Sequence, residues 1–181
     1  MLRPVLRGAP ERPGQRPAVG AAQAGLFIDA VCVVTPEAAS NRTALAKVVR
    51  LWKSVGSRVL RLPPQAHDEL VSRSSHLPHV VAAQLSNLVL DPNSPKHLAA
   101  LCANGFRDTT RIASGSPEMW RDIVLANRKN LLQALGSFVA GLAEFQRVVK
   151  RGDEAAIARF FQQAKQRRDH WSRSARAHSP E

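Results

Sequence analysis

Leu131-Leu132-Gln133-Ala134-Leu135-Gly136-Ser137-Phe138-Val139-Ala140-Gly141-Leu142-Ala143-Glu144-Phe145-Gln146-Arg147-Val148-Val149 is the stretch whose reading decides the fold. Its large apolar residues Leu131, Leu135, Phe138, Leu142, Phe145 and Val149 step by 4, 3, 4, 3 and 4. That spacing puts them on one face of a helix and excludes strand alternation; it is the seam of a coiled-coil-like contact. Ahead of it, Gly115-Ser116-Pro117-Glu118 reads as a helix start, with Ser116 as N-cap, Pro117 at the first position, and Glu118 and Asp122 near the positive end of the dipole. A helix is predicted from 117 to 150, on the order of 50 Å long at about 1.5 Å per residue. Arg151-Gly152-Asp153 stops it, and Asp153 caps a last helix bearing Ala156, Ile157, Phe160, Phe161 and Ala164. Such a seam can be an internal core stripe. A helix this long, however, exceeds what one small domain covers, and the expectation is a homodimer formed through 117–150.

Upstream the pattern stays helical as far back as Pro64. Residues 65–90 read as one helix kinked by Pro78, which lacks a backbone donor and clashes with the preceding turn. Asp91-Pro92-Asn93-Ser94-Pro95 is a loop, Ser94 caps a short helix over 95–103 with Gly105 just past its end, and 106–113 is a helical turn or loop. Strand signals are confined to 26–63. Residues 29–35 are a β-branched run, Thr35 and Pro36 open a helix with Leu45, Val48, Val49 and Trp52 on one face, Gly56 ends it, and 57–62 is a second strand stopped by Pro63-Pro64. This is a β-α-β unit of parallel-crossover size. Residues 1–25, rich in Pro, Gly, Ala and Arg, read as a disordered basic leader, and 172–181 as a disordered tail. The fold class is therefore mainly α: an all-helical domain over 64–171 preceded by a β-α-β unit.

Apolar residues make up 44% of the 181, enough for a core. No apolar run approaches the roughly 20 residues of a membrane span, and the basic N-terminus has no apolar stretch of secretory type. Cys32 and Cys102 form no CxxC pair and no zinc spacing, which fits reduced thiols in a cytoplasmic protein. The net charge of +12 is unevenly spread. Four arginines face one glutamate in 1–25, and five basic residues face two acidic ones in 163–181, so half the excess lies at the ends. Basic ends can hold nucleic acid, but no aromatic–basic platform or reading helix accompanies them, and that reading ranks last.

Three dense motifs carry the chemistry. His76 and His79, three apart, share a helical face, yet a zinc site needs further ligands that no spacing supplies. His67-Asp68 at a helix start serves as first-turn capping or as a site pair. Asn104-Gly105-Phe106-Arg107-Asp108-Thr109-Thr110-Arg111 packs two arginines, an aspartate and two hydroxyls beside a glycine. Adjacent guanidiniums repel unless an anion lies between them. Asp108 can orient one, leaving the other to clamp a carboxylate; an internal ion-pair network is the alternative. Trp120, just after a cap, is either core or ligand wall.

Taken in order, His67-Asp68, Ser75-His76-Leu77-Pro78-His79, Gly105-Phe106-Arg107-Asp108-Thr109-Thr110-Arg111 and Met119-Trp120-Arg121-Asp122 resemble the helical domain of prephenate/arogenate dehydrogenases, oxidoreductases of tyrosine biosynthesis. The likeness covers about 26–165. It implies that Arg111 holds a carboxylate of prephenate or arogenate, that Asp108 orients the local network, that His67, Ser75 and His79 line the substrate cleft, and that Trp120 stands at the pocket edge. Arg121 and Asp122 read as structural. The family reaction is oxidative decarboxylation: a hydride leaves the ring carbinol carbon for NAD or NADP, a base takes the hydroxyl proton, and carbon dioxide departs as the ring aromatises.

Two parts of the family pattern are missing. No strand–GxGxxG–helix fingerprint occurs; Gly8, Gly14 and Gly20 are too widely spaced. The family's catalytic histidine sits in His-Pro-x-x-Gly, where this chain reads Arg16-Pro17-Ala18-Val19-Gly20, and no histidine precedes His67. The expectation is a C-terminal, substrate-side and dimerising piece with a remnant of the nucleotide domain, without catalytic, cofactor-binding or metal residues of its own and inactive alone. The alternative is a helical interaction module, or a sensor of an aromatic acid, partnered with a separate nucleotide-binding chain.

Overall fold

The computed structural model describes residues 2–4, 25–95 and 97–176. They fall into a first unit that ends at His67 and a second that begins at Asp68.

The first unit is built on a small sheet. Strands β2 (Val31–Val34) and β3 (Arg58–Arg61) run parallel, with Val31 opposite Arg58 and Val34 opposite Arg61, and helix α1 (Arg42–Ser54) crosses between them. This is the β-α-β unit read from the sequence. Cys32, Val33 and Val34 are buried in it, and Leu45, Val48, Val49 and Trp52 are half-buried on one face of α1. Trp52 meets Phe27 edge-on, ring centroids 5.3 Å apart. Gly56 turns the chain into β3 at φ 86°, where a Cβ would meet Ile28 Cα at 3.2 Å.

Two expectations differ here. Helix α1 begins at Arg42 and not at Pro36, because the Asn41 side chain, and not Thr35, accepts the first-turn N–H of Ala44 at 3.0 Å. Residues 36–40 form a loop closed by Glu37 N–H on Ser40 Oγ at 2.9 Å. Within the leader expected to be disordered, Leu2–Pro4 forms strand β1, antiparallel to β2 with Leu2 opposite Val34. Three residues are too few to show alternation, and backbone pairing needs none. The rest of the leader before Gly25 lies outside the described residues.

The second unit is all helical. The single helix expected over 65–90 is three pieces: α2 (Pro64–Val71), a π-turn (Ser72–His76) and α3 (Leu77–Val89). Pro78 is the reason. Having no N–H, it cannot continue the ladder, and it sits instead in the first turn of a new helix. The chain widens just before it, Leu77 N–H reaching back five residues to the Ser72 carbonyl. The helix expected over 95–103 reduces to a 3-10 turn, Ala99–Leu101, and Gly105 lies inside α4 (Asn104–Thr110) and not past a helix end. A second 3-10 turn, Arg111–Ser114, follows.

The long helix expected over 117–150 kinks at Asn127 into α5 (Pro117–Ala126) and α6 (Arg128–Arg151). Ser116 caps α5 as read, accepting from Met119 N–H at 3.3 Å. Gly152 ends α6 in the left-handed conformation, φ 64°, and Asp153 caps α7 (Glu154–Arg176) through Ala156 N–H at 2.9 Å. Helix α7 continues past Trp171 to Arg176, five residues into the tail expected to be disordered; residues 177–181 lie outside the described residues.

Helix α3 and the π-turn are the hub. Helix α3 packs against α4, the Arg111–Ser114 turn and α6, and the π-turn also packs against α6. The seam on α6 divides accordingly. Its first part is internal: Leu131 is buried, with Ala134 beside it. Its second part is not, since Leu142 and Val149 are 50% and 51% exposed. Phe145 stacks on Phe160 of α7, centroids 4.3 Å apart, with Phe161 edge-on at 5.9 Å. Neither internal core nor open interface describes the whole stripe.

Candidate functional site

The π-turn shapes the site. A widened turn rotates the residues it carries out of the register of a plain helix. Ser72 points in and donates to the Glu69 carbonyl at 2.7 Å; Ser74 donates to Leu70 at 3.0 Å. The Ser75 hydroxyl makes no hydrogen bond among the described residues, and its carbonyl lies 2.9 Å from His79 Nδ1. A carbonyl only accepts, so Nδ1 of His79 carries a proton and donates it to Ser75.

His76 is buried and the opposite applies. Asn127 Nδ2 donates to the Asp68 carbonyl at 2.7 Å and faces His76 Nδ1 at 3.3 Å. Its Oδ1 accepts from Asn130 at 2.8 Å. Both histidines meet Trp120. The His79 ring lies over it at 3.8 Å between centroids and 30° between planes, and His76 approaches edge-on at 6.3 Å. Gly115 makes room: a Cβ there would stand 2.6 Å from Trp120 Nε1.

The 3-10 turn that Arg111 opens packs on α3, the helix that carries His79. Thr109 and Thr110 are spent on the backbone of their own helix, donating to Gly105 and Phe106 carbonyls, each at 2.7 Å. Asp108 and Arg111 are exposed, and among the described residues neither forms an ion pair. Arg121 and Asp122 pair with each other on the surface at 2.9 Å. His67 is buried in α2 at the close of the first unit, whereas Ser75, His79, Asp108, Arg111 and Trp120 belong to the second. Among the described residues no group of three His, Cys, Asp or Glu side chains is placed to hold a metal ion. None of the helices there is long and apolar enough to cross a membrane.

Sequence reasoning missed Asn127. A signal was present: counting back from Leu131 by 4, 3 and 4 gives Asn127, Val124 and Trp120, so a polar side chain occupies a core position of an otherwise apolar stripe. A polar residue in such a position commonly fixes register at some expense of stability.

The β2–α1 junction, where a parallel β-α-β unit would hold a dinucleotide, does not fit one. Residues 35–41 contain no glycine to let a pyrophosphate approach the backbone, and Glu37 would repel it. The Asn41 cap already takes up Ala44 N–H.

Comparison with known proteins gives three concordant findings. Residues 63–163 match the family model described as prephenate dehydrogenase, dimerization domain. A prephenate dehydrogenase of Bacillus subtilis is 34% identical over 90% of this chain and 44% of its own length, and a cyclohexadienyl dehydrogenase of Zymomonas mobilis 32% identical over 80% and 50%. The crystal structure of prephenate dehydrogenase from A. aeolicus in complex with hydroxyphenyl propionate and NAD+ superposes with a TM-score of 0.78 at 30% identity, covering 87% of this chain and 56% of that one. The chain thus spans about half the length of the relatives it matches.

Proposed function

The chain belongs to the prephenate dehydrogenase family, carrying its dimerization domain over residues 63–163, and from that premise we propose that it is the substrate-side and dimerising part of such an enzyme. The ligand is prephenate or arogenate, and the reaction served is its NAD(P)-dependent oxidative decarboxylation. Arg111 clamps a carboxylate, with Asp108 steadying the loop once it is filled. Ser75 and His79 meet the polar edge of the ring, and Trp120 forms the aromatic wall. The observation that carries this reading is the His79–Trp120 stack, with the exposed Arg111 on a turn that packs against α3, the helix carrying His79: a guanidinium without an ion pair among the described residues and an aromatic wall fit an aromatic carboxylate.

Within this reading the chain's own residues bind and orient. His79, protonated at Nδ1, offers Nε2 as an acceptor to a hydroxyl of the ligand. A bound NAD(P) would supply the hydride acceptor; the β2–α1 junction does not fit it, and the chain alone is not expected to turn over. The half-exposed second part of the α6 seam supports pairing with a second copy through α6.

Calorimetry with hydroxyphenyl propionate and with prephenate tests the reading. Binding is expected in the wild type and loss of roughly 10- to 150-fold in Arg111→Ala, the equivalent of a charged hydrogen bond of about 1.5–3 kcal/mol. Unchanged affinity removes Arg111 from the site. Steady growth of nicotinamide absorbance with prephenate and NAD overturns the claim that the chain alone is inactive.

A further inference from the structure

We infer that Asn127 is the positioning residue of this site, its amide fixing the tautomer of His76 and tying the π-turn to the start of α6. The consequence for ligand binding rests on the function proposed above; the tautomer does not.

The orientation of the amide is over-determined. The Asp68 carbonyl can only accept, so Nδ2 and not Oδ1 must face it at 2.7 Å. The remaining N–H of the same nitrogen then points at His76 Nδ1, 3.3 Å away, and Oδ1 takes the Asn130 donor. A ring nitrogen facing a donor must present its lone pair, which puts the His76 proton on Nε2. His79, three residues on, is held in the opposite form by the Ser75 carbonyl. Two histidines against one tryptophan thus have opposite tautomers, each set by a neighbour that has no choice.

The same amide explains the backbone around it. Asn127 is 7% exposed and sits at φ −116°, ψ 30°, outside helical geometry, where α5 gives way to α6. It bonds residues 59 and 51 positions away in sequence. His76 ends the π-turn that precedes Pro78, and Asp68 lies one helical turn ahead of it in α2. Holding His76 holds the edge of Trp120, and the face of Trp120 is where His79 lies. Displacing the amide therefore moves His79 without touching it.

Ring-nitrogen NMR on the full chain at about pH 8, above the ordinary histidine range, reads the tautomers directly. The wild type is expected to show His76 protonated at Nε2 and His79 at Nδ1. In Asn127→Asp the new carboxylate can accept but not donate, and the His76 proton is expected to move to Nδ1. The affinity for hydroxyphenyl propionate is expected to fall about tenfold. An Nδ1-protonated His76 in the wild type overturns the inference, and so does an unmoved proton in a folded Asn127→Asp. Should that variant fail to fold, the wild-type spectrum still decides. If the wild type binds no aromatic acid, the proposed function falls while the tautomer result stands on its own.

Discussion

Replacing Leu142 with Asp should turn a dimer into a monomer, and the size of the effect follows from how α6 is covered. Leu142 sits on the seam, yet the chain's own packing leaves it 50% exposed, whereas Leu131 on the same seam is 3% exposed. Burying a leucine side chain completely is worth about 1.5–3 kcal/mol, so the half still open represents roughly 0.75–1.5 kcal/mol per copy. A two-fold interface uses each residue twice, which brings the loss to roughly 1.5–3 kcal/mol, or about 10- to 150-fold in Kd. The desolvation of two carboxylates adds several kcal/mol more. Sedimentation velocity across about 1–50 μM should show a dimer for the wild type and a monomer for Leu142→Asp, with far-UV circular dichroism unchanged. A wild type that stays monomeric throughout, or a variant of undiminished mass, would refute the reasoning that the open half of the seam is an interface.

Gly152→Ala should lower stability by about 1–2 kcal/mol, the cost of a left-handed residue with a Cβ. Nothing lies within 4 Å of the new methyl, so the backbone alone is responsible; a thermal melt should show Tm about 2–8 °C lower. Burial raises the thiol pKa of Cys32, and the residue is 2% exposed, whereas Cys102 is half-buried. A maleimide time course with peptide mapping should label Cys102 first and Cys32 only on unfolding; equal rates would contradict the packing of β2. The carboxyl of Glu118 is held below its ordinary range by its own backbone N–H and then by the Ser116 hydroxyl. A depressed folded-state value means stabilisation that is present above the ordinary glutamate range and lost as pH falls through the lowered one. The stability gap between wild type and Glu118→Gln should therefore close on acidification below about pH 4; a gap that widens there would reverse the assignment.

What was legible in the sequence, and what was not, divides along one physical line. Ser116, Gly152 and Asp153 were readable as helix ends because capping is local: the side chain and the backbone group it satisfies are three or four residues apart. The β-α-β unit was readable because periodicity changes from helix to strand within a short window. The form of the chain over 65–90 is not legible, because sequence shows that Pro78 breaks the ladder but not that a π-turn absorbs the break. The start of α1 at Arg42 is hidden for a subtler reason. Thr35-Pro36 and Asn41 are both plausible caps, and the Glu37–Ser40 loop bond that accompanies the later start is not written in either.

Asn127 marks where local reading ends. Its three bonds join the beginning of the second unit, the π-turn and α6, and two of them span more than fifty residues. No window of the sequence contains both ends of such a contact. What the window does contain is an asparagine at a position where the stripe from Trp120 through Val124 to Leu131 calls for a hydrophobe. A buried amide that is fully satisfied rigidifies its surroundings, and one that loses a partner costs about 1–3 kcal/mol. A polar residue in an apolar seam is therefore tolerable only where distant groups converge on it, and this one lies among the histidines and the tryptophan of the candidate site. The long seam that made the fold legible also pointed, at its one violation, to the place where the second unit's helices meet the site.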